Sequence, residues 1–145
     1  MTLCVARNAM ARPVVLQGRA QVIDGDTLVM GKRHIRLFGV DAFEHNQTCG
    51  RMRCGLEATQ ALRDMTKDQI VTCEKQDVDR YGRLVAICKS SGRDLGRDMI
   101  RRGLAVDYRV FTRRYMDDET YAKSRKIGAW AHGFQSPETF RQLNR

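Results

Sequence analysis

Three short apolar runs lie close together in residues 13–40, and turns of only three residues separate them. The turns at 24–26 and 31–33 both contain Gly, which together with Asp is typical of tight turns. Strands joined by such short connections pair with their neighbours in sequence. The pattern therefore predicts a β-meander at the start of the fold, formed by strands at 13–23, 27–30 and 34–40.

The spacing of apolar residues changes after residue 53. Intervals of three and four residues predict an amphipathic helix over 55–67. The remaining predicted elements are strands at 70–74 and 83–88 and helices over 94–102 and from Asp117 onward. Five short strands with a helix between the third and the fourth are typical of an OB-type barrel. We therefore expect an α+β, mainly β fold, a five-stranded OB-fold barrel with three helices, with another mixed α+β arrangement as the alternative.

The chain of 145 residues has the length of one domain. Residues 1–13 are expected to form a disordered N-terminal extension, and residues 14–145 a single OB-fold domain. Residues 41–53 lack an apolar period and are expected to form a mobile surface loop. The first residues also lack the apolar segment of a signal peptide, so either the protein stays inside the cell or an export signal is already removed.

A strong positive charge indicates a polyanionic partner. The 26 Lys and Arg residues exceed the 17 Asp and Glu residues, which gives a net charge of +9. No stretch approaches the ~20 apolar residues of a membrane span, so nucleic acid is favoured over a membrane surface as the partner. The protein itself is expected to be a monomer. Five arginines suit a nucleic-acid backbone track or, alternatively, an ordinary solvated face: Arg101, Arg102, Arg109, Arg113 and Arg114.

Three carboxylates and one guanidinium group lie within a single short ribbon of the meander. Asp26 follows a Gly at a turn, while Asp41 and Glu44 come just after the third strand. Carboxylates so close together repel one another unless a cation lies between them, which indicates a site for a hard metal ion. Arg36 in the same ribbon indicates that a phosphate binds there too. The alternative is a polar hairpin whose turn acids are simply solvated.

Four of the five cysteines fall into two pairs. Cys73 and Cys88 lie on two strands that are expected to pair, and Cys49 and Cys54 flank a short loop. Two disulfides with Cys4 left over are one interpretation, and five buried or idle thiols are the other. Disulfides favour a periplasmic or secreted protein, whereas the missing signal peptide favours a cytoplasmic one. No His completes a zinc ligand set with suitable spacing.

Three segments of the chain resemble the motif blocks of the staphylococcal nuclease (thermonuclease) homologues. They are Ile23–Thr27, the Arg36-Leu37-x-x-Val40-Asp41-x-x-Glu44 segment, and Asp79–Arg83. The similarity continues through Gly103-Leu104-Ala105 to Gly128-Ala129-Trp130. Each block alone is a weak signal, but three in the same order around the same helices are a strong indication of this family.

The resemblance implies a role for each matching residue. The implied ligands of a Ca²⁺ ion are the carboxylates of Asp26 and Asp41 and the main-chain carbonyl of Ala42. The implied catalytic residues are Glu44 as the general base, and Arg36 and Arg83, which bind the scissile phosphate. The implied neighbours are Asp24 beside the metal, and Arg80 and Tyr81 at the terminal phosphate of the nucleotide.

The activity implied by the resemblance is that of a Ca²⁺-dependent phosphodiesterase (nuclease) that hydrolyses DNA and RNA and leaves 3′-phosphates. Little sequence specificity is expected, because the residues identified address phosphate or metal and none addresses base edges. A catalytically weak nucleic-acid-binding OB module is the alternative. Tyr108 and Tyr115 are candidates for stacking on a base, with core packing as the alternative.

One departure from the family pattern affects the segment that carries Glu44. The family usually has Thr-Pro between the second ligand Asp and the Glu, whereas this chain has Ala42-Phe43. The main-chain carbonyl is retained, but the hydroxyl is lost. Without the fixed φ of proline, the segment that carries Glu44 is expected to be less rigid.

Overall fold

The computed structural model describes residues 11–110 and 112–145. Within these residues the chain forms nine strands, four α-helices and one short 3-10 helix. The strands are β1 (Val15–Gly18), β2 (Gln21–Asp24), β3 (Thr27–Met30), β4 (Arg33–Leu37), β5 (Val40–Ala42), β6 (Val71–Val78), β7 (Leu84–Ser90), β8 (Arg93–Asp94) and β9 (Ala105–Asp107). The helices are α1 (Cys54–Thr66), α2 (Leu95–Arg101), α3 (Met116–Ser124) and α4 (Pro137–Leu143), and the 3-10 helix is Gly128–Ala131. The predictions for residues 1–10 lie outside the described residues.

One sheet contains most of the strands. Its order is β1-β6-β7-β4-β3-β2, and β8 pairs with β7. Neighbouring strands are antiparallel, except that β4 and β7 are parallel. Strands β5 and β9 form a separate two-stranded sheet. This mainly β arrangement with several helices is OB-like, so the predicted fold class is confirmed.

Each of the five predicted strands is present, although two of them are divided. The first becomes β1 and β2, which lets β1 pair with β6 while β2 pairs with β3. The predicted strand at 34–40 becomes β4 and β5, because Gly39 adopts a φ of 73°, a conformation that favours glycine. The second division matters for the site, since β5 carries Asp41 and Ala42 and pairs with β9 instead of continuing β4.

The hydrophobic core joins the large sheet to α1 and α2. Helix α1 contributes Ala58 and Leu62, and α2 contributes Met99 and Ile100, all fully buried against strand residues such as Ile35. Complete burial of a Leu or Ile side chain contributes about 1.5–3 kcal/mol. This core therefore fixes the strands from which the polar residues of β2 to β5 project.

Two features outside the meander differ from the sequence prediction. Helix α4 was not among the three predicted helices; it begins after Ser136, whose hydroxyl accepts a hydrogen bond from the backbone N–H of Thr139. The predicted surface loop at 41–53 is in part internal, because Phe43 and Gln47 are buried. Long-range packing of these short segments determines both differences.

Both predicted cysteine pairs are disulfide-bonded. Cys49 is bonded to Cys54, and Cys73 is bonded to Cys88. The second pair lies directly opposite in the register of β6 and β7, as the predicted hairpin requires. In the described part of the chain, no helix combines the length and the apolar character that crossing a membrane requires.

Candidate active site

The turn between β2 and β3 positions the first acidic residue of the site. The backbone N–H of Asp26 donates to Oδ1 of Asp24 at 3.1 Å, which closes the turn. A Cβ on Gly25 would lie 2.7 Å from the Cβ of Ala42 and 2.8 Å from that of Ala58, so glycine allows this turn to approach β5 and α1. Asp26 is thereby buried beside β5, where its Oδ2 accepts a 2.9 Å hydrogen bond from the backbone N–H of Ala42.

Arg36 on β4 contacts both of the predicted carboxylate ligands. Its Nη1 lies 3.4 Å from Oδ2 of Asp26, and its Nη2 lies 3.6 Å from Oδ1 of Asp41. The same Nη2 donates to the carbonyl of Val40 at 3.1 Å. Burial raises the pKa of Asp26; Arg36 opposes this increase and Asp24 adds to it. Two buried carboxylates thus converge on one guanidinium group.

A second guanidinium group, that of Arg141 on α4, binds the same acidic cluster. Its Nη1 donates to Oδ1 of Asp41 at 2.9 Å and to Oε1 of Glu44 at 2.7 Å, and its Nη2 donates to Oδ2 of Asp41 at 3.0 Å. The hydrogen bonds to Asp41 raise the pKa of Arg141, burial opposes them, and those to Glu44 raise it further. Sequence reasoning missed Arg141, because it lies 100 residues from Asp41 and outside the three motif blocks.

Glu44 is held by residues 43–54, which we call the Glu44 loop. The backbone N–H of Glu44 donates to Oε1 of Gln47 at 3.2 Å, and its carbonyl accepts from the backbone N–H of Gln47 at 2.8 Å. Gln47 is buried, and its side-chain amide also donates to the carbonyl of Gln135 at 2.8 Å. Gln47 therefore links Glu44 to the segment that leads into α4, and it is a second residue that sequence reasoning missed.

Phe43 fixes the start of the Glu44 loop. Its side chain is buried in a small cluster with Cys49 and Cys54, the two cysteines of the loop disulfide. Its ring centre lies 5.0 Å from that of Phe134 in an edge-to-face arrangement. Aromatic packing and a disulfide thus constrain this segment. It is the segment for which the replacement of the family's Thr-Pro by Ala42-Phe43 predicts a loss of rigidity.

The hairpin between β6 and β7 carries the second predicted phosphate-binding arginine. Oδ1 of Asp79 accepts hydrogen bonds from the backbone N–H groups of Tyr81 and Arg83, both at 2.9 Å, and its Oδ2 accepts one from Nε of Arg83 at 2.6 Å. Partial burial acts to raise the pKa of Asp79, but these bonds outweigh it and hold the pKa below its usual value. Within the described residues, neither Nη group of Arg83 has a hydrogen-bond partner, so both remain for an anion. Arg80 and Tyr81 are exposed at the tip of the hairpin.

One cleft of about 740 Å³ brings the predicted site residues together. Asp41 is buried beside it and contacts Arg36 and Arg141, which line the cleft. The eight other predicted residues line it directly: Asp24, Asp26, Arg36, Ala42, Glu44, Arg80, Tyr81 and Arg83. Tyr108 also lines the cleft, and the guanidinium carbon of Arg36 lies 5.7 Å from the centre of its ring.

The charges around the cleft suit a hard cation. Four guanidinium groups line the cleft, those of Arg36, Arg80, Arg83 and Arg141. Six carboxylates lie in or beside it, those of Asp24, Asp26, Asp41, Glu44, Asp77 and Asp79. The excess of two negative charges and the convergence of two buried carboxylates beside Ala42 fit a divalent ion with oxygen ligands. Within residues 11–110 and 112–145 there is no group of three or more acidic, His or Cys side chains that could hold a metal. A metal at this position therefore also requires a main-chain carbonyl and water.

The basic cluster that was considered as a nucleic-acid track is largely neutralised by acids. Its ion pairs are Arg101 with Asp118, Arg109 with Glu119 and Arg114 with Asp94, at 3.3, 3.1 and 3.1 Å. The alternative of a solvated face therefore fits these three arginines. Tyr115 is a core residue, since it is buried and its hydroxyl donates to Asp94 at 3.0 Å, and so it is excluded from stacking on a base.

A different groove carries unpaired positive charge. It has a volume of about 490 Å³ and runs between the Glu44 loop and α1. Three arginines, Arg51, Arg53 and Arg63, line it together with one acid, Glu57, and none of the three has an ion-pair partner in the part of the chain that the structure describes. This groove therefore suits a polyanion better than the predicted cluster does.

The chain is similar in sequence to several known proteins. A family model described as staphylococcal nuclease homologue matches residues 34–132. A succinoglycan biosynthesis protein, ExoI, of Rhizobium meliloti (strain 1021) is 36% identical over 128 residues, which cover 83% of this chain and 66% of that protein. An uncharacterized endonuclease of Haemophilus influenzae is 27% identical over 118 residues, which cover 77% and 64%. A micrococcal nuclease of Shigella flexneri is 27% identical over 143 residues, which cover 86% and 79%. The chain thus spans slightly less than two thirds of the first two relatives.

Proposed function

This chain belongs to the staphylococcal nuclease homologue family, and from that membership we propose that it is a metal-dependent nuclease. The proposed reaction is hydrolysis of DNA and RNA phosphodiesters with Ca²⁺ as the cofactor, with little sequence specificity and with 3′-phosphate products. The observation that supports it most strongly is the cleft that brings buried carboxylates and guanidinium groups together. Such a cleft suits a phosphodiester held between a cation and two arginines.

The proposed mechanism assigns a step to each residue. The carboxylates of Asp26 and Asp41 and the carbonyl of Ala42 would hold Ca²⁺, which supplies Lewis acidity toward the phosphate oxygens. Arg36 and Arg83 bind the scissile phosphate and stabilise the charge that develops on its oxygens.

Glu44 accepts a proton from the attacking water while a new P–O bond forms. The bond from phosphorus to the 5′-oxygen breaks, the leaving oxygen takes up a proton from solvent, and the phosphate remains on the 3′ side. Glu44 then releases its proton to solvent.

Two further observations support a nucleic-acid substrate. The unpaired arginines of the groove beside the Glu44 loop suit a sugar–phosphate backbone that extends from the cleft. Tyr108 and the exposed Tyr81 provide aromatic faces at the cleft, and such faces stack on bases without sequence preference.

The two disulfides favour an oxidising compartment.

A nucleic-acid-binding module with weak catalysis is the second candidate. It is favoured by one observation, the engagement of Asp41 and Glu44 by Arg141. A carboxylate that is hydrogen-bonded to a guanidinium group is less able to bind a metal or accept a proton. The two candidates differ in turnover, since both predict binding of nucleic acid.

The test is cleavage of single-stranded DNA and RNA in the presence of Ca²⁺ by the wild-type protein, Glu44→Gln and Glu74→Gln. Glu74 is exposed on β6 and makes a matched control for the same chemical change away from the cleft. We expect Glu44→Gln to reduce turnover by at least about 100-fold, because a general base contributes about that much or more. Binding of a nucleoside 3′,5′-bisphosphate should be retained. A wild-type protein that binds the bisphosphate but cleaves neither polymer would support the binding module instead.

A further inference from the structure

The contact between Arg141 and the acidic cluster engages the groups that the proposed reaction requires. Both oxygens of Asp41 accept a hydrogen bond from Arg141, at 2.9 and 3.0 Å, and the same Nη1 reaches Oε1 of Glu44 at 2.7 Å. The side chain of Asp41 is only 3% exposed, and that of Glu44 is 35% exposed. The guanidinium group therefore bridges the predicted metal ligand and the predicted base.

A Ca²⁺ ion and this guanidinium group compete for the same oxygens. Ca²⁺ binds carboxylate oxygens at about 2.3–2.6 Å, which requires the lone pairs that Arg141 uses. The two cations also repel each other at such short separations. Arg36 does not compete in the same way, because its distances to Asp26 and Asp41 are 3.4 and 3.6 Å.

The surroundings of Arg141 allow its side chain to move without α4. Arg141 lines the cleft on one side and, on the other, a hollow of about 470 Å³, whose lining includes Asn46 and Asn144 as well as the charged residues Glu44, Arg80 and Arg145. Its side chain is 38% exposed. The segment that leads into α4 is meanwhile fixed to the Glu44 loop by the hydrogen bond from Gln47 to the carbonyl of Gln135. We therefore expect the guanidinium group to leave Asp41 by a change of side-chain rotamer toward the hollow, with the segment before α4 in place.

We propose that Arg141 is an internal counter-ion that determines the metal affinity of the site. In the metal-free protein it neutralises Asp41 and Glu44, and it leaves both carboxylates when a divalent cation binds. The inference rests on the proposed function, because it requires the metal to bind at Asp41. It adds a residue that lies outside the range matched by the family model, residues 34–132.

The contact affects metal affinity through the fraction of molecules in which Asp41 is released. If that fraction is about one tenth, the apparent Kd for the metal is about tenfold weaker than the intrinsic value. Arg141→Gln should remove this effect and tighten Ca²⁺ binding by about tenfold. Arg141→Lys keeps the charge but loses the two-pronged contact, so an intermediate Kd is expected.

Isothermal titration of the full chain with Ca²⁺, in 0.1 M and 0.5 M KCl, tests the proposal. Arg19→Gln is the control, because it removes the same charge from an exposed residue that lines neither the cleft nor the hollow. The Kd of this control variant for Ca²⁺ should differ from that of wild type by less than about twofold. The replaced arginine contacts neither carboxylate, and salt screens its longer-range electrostatic effect on the site. The tighter binding of Arg141→Gln should persist at 0.5 M KCl, because it comes from direct contact.

Thermal unfolding separates competition with the metal from a merely structural role. Arg141→Gln should lower Tm in a chelator, where the wild-type contact is present, and should have little effect in saturating Ca²⁺, where it is already broken. An equal loss of Tm in both conditions, or an equal Kd in wild type and Arg141→Gln, overturns the inference alone. Absence of a Ca²⁺ site in both proteins overturns it together with the proposed metal dependence.

Discussion

Asp107, at the end of β9, is a buried carboxylate whose removal should stabilise the protein. Its side chain is 0% exposed, and neither of its oxygens has a hydrogen-bond partner within the described residues. The nearest cation is Arg109, with its Nε at 3.6 Å. Burial and then the neighbouring charge of Glu119 raise the pKa of Asp107 from 3.8 to about 6. The folded state therefore holds this proton over a pH range in which the unfolded chain has lost it.

The magnitude follows from the difference between the two pKa values. About two pKa units at about 1.4 kcal/mol each give a destabilisation of up to about 3 kcal/mol above pH 6. The titration of Asp107 should therefore lower the free energy of unfolding of the wild-type protein as the pH rises from 4 to 6. Above pH 6 it should cause no further change. Asp107→Asn has no ionisable group, so it should be more stable than wild type at pH 8 by about 1–3 kcal/mol, with only a small difference at pH 4.

Urea unfolding of wild type and Asp107→Asn at pH 4, 6 and 8 measures this difference. Asp117→Asn is a suitable control, because Asp117 is an exposed acid in the first turn of α3. The control should show no increase in relative stability between pH 4 and pH 8. A stability difference for Asp107→Asn that is independent of pH, or a variant that is less stable than wild type at pH 8, would refute the reasoning.

Three further variants test how the proposed catalytic groups are positioned. Asp79→Asn should lower kcat by about 10- to 100-fold with a smaller change in KM, because Arg83 loses the carboxylate that orients it; an unchanged kcat would contradict this role. Gln47→Ala should lower both kcat and Tm, since it breaks the bonds that join the Glu44 loop to the segment before α4; kinetics and calorimetry on one preparation measure the two effects. Replacing Cys49 and Cys54 together by Ser should reduce kcat more than bisphosphate affinity, and a uniform loss of both would indicate general unfolding instead.

The parts of the fold that the sequence predicts are those with a local signal. The turn at residues 24–26 joins strands that pair directly, so the meander follows from turn length alone. The pairing of Cys73 with Cys88 follows from the same reasoning, because the hairpin between β6 and β7 brings them opposite each other. The three motif blocks likewise lie on turns and strand ends, and their residues meet in one cleft.

The parts that the sequence does not predict depend on contacts between distant segments. Arg141 is one of 26 basic residues, and no local pattern distinguishes it from the others. Its contact with Asp41 exists only because α4 packs beside β5. Arg101 and Arg114 form a basic cluster in sequence, yet distant acids neutralise them in the fold. Local spacing thus indicates which residues are polar and clustered, but the fold decides which charges remain unpaired.

The Ca²⁺ dependence of cleavage is the measurement that tests the central claim most directly. The substrate is 5′-labelled single-stranded DNA, the enzymes are wild type and Asp26→Asn, and mass spectrometry identifies the ends of the fragments. We expect excess EGTA to stop cleavage by wild type, Ca²⁺ to restore it, and the new ends to be 3′-phosphates. Asp26→Asn should require a higher Ca²⁺ concentration for half-maximal cleavage. Undiminished cleavage in EGTA would contradict a metal held by buried carboxylates opposite two arginines. Fragments that end in a 3′-hydroxyl would contradict the proposed cleavage of the bond to the 5′-oxygen.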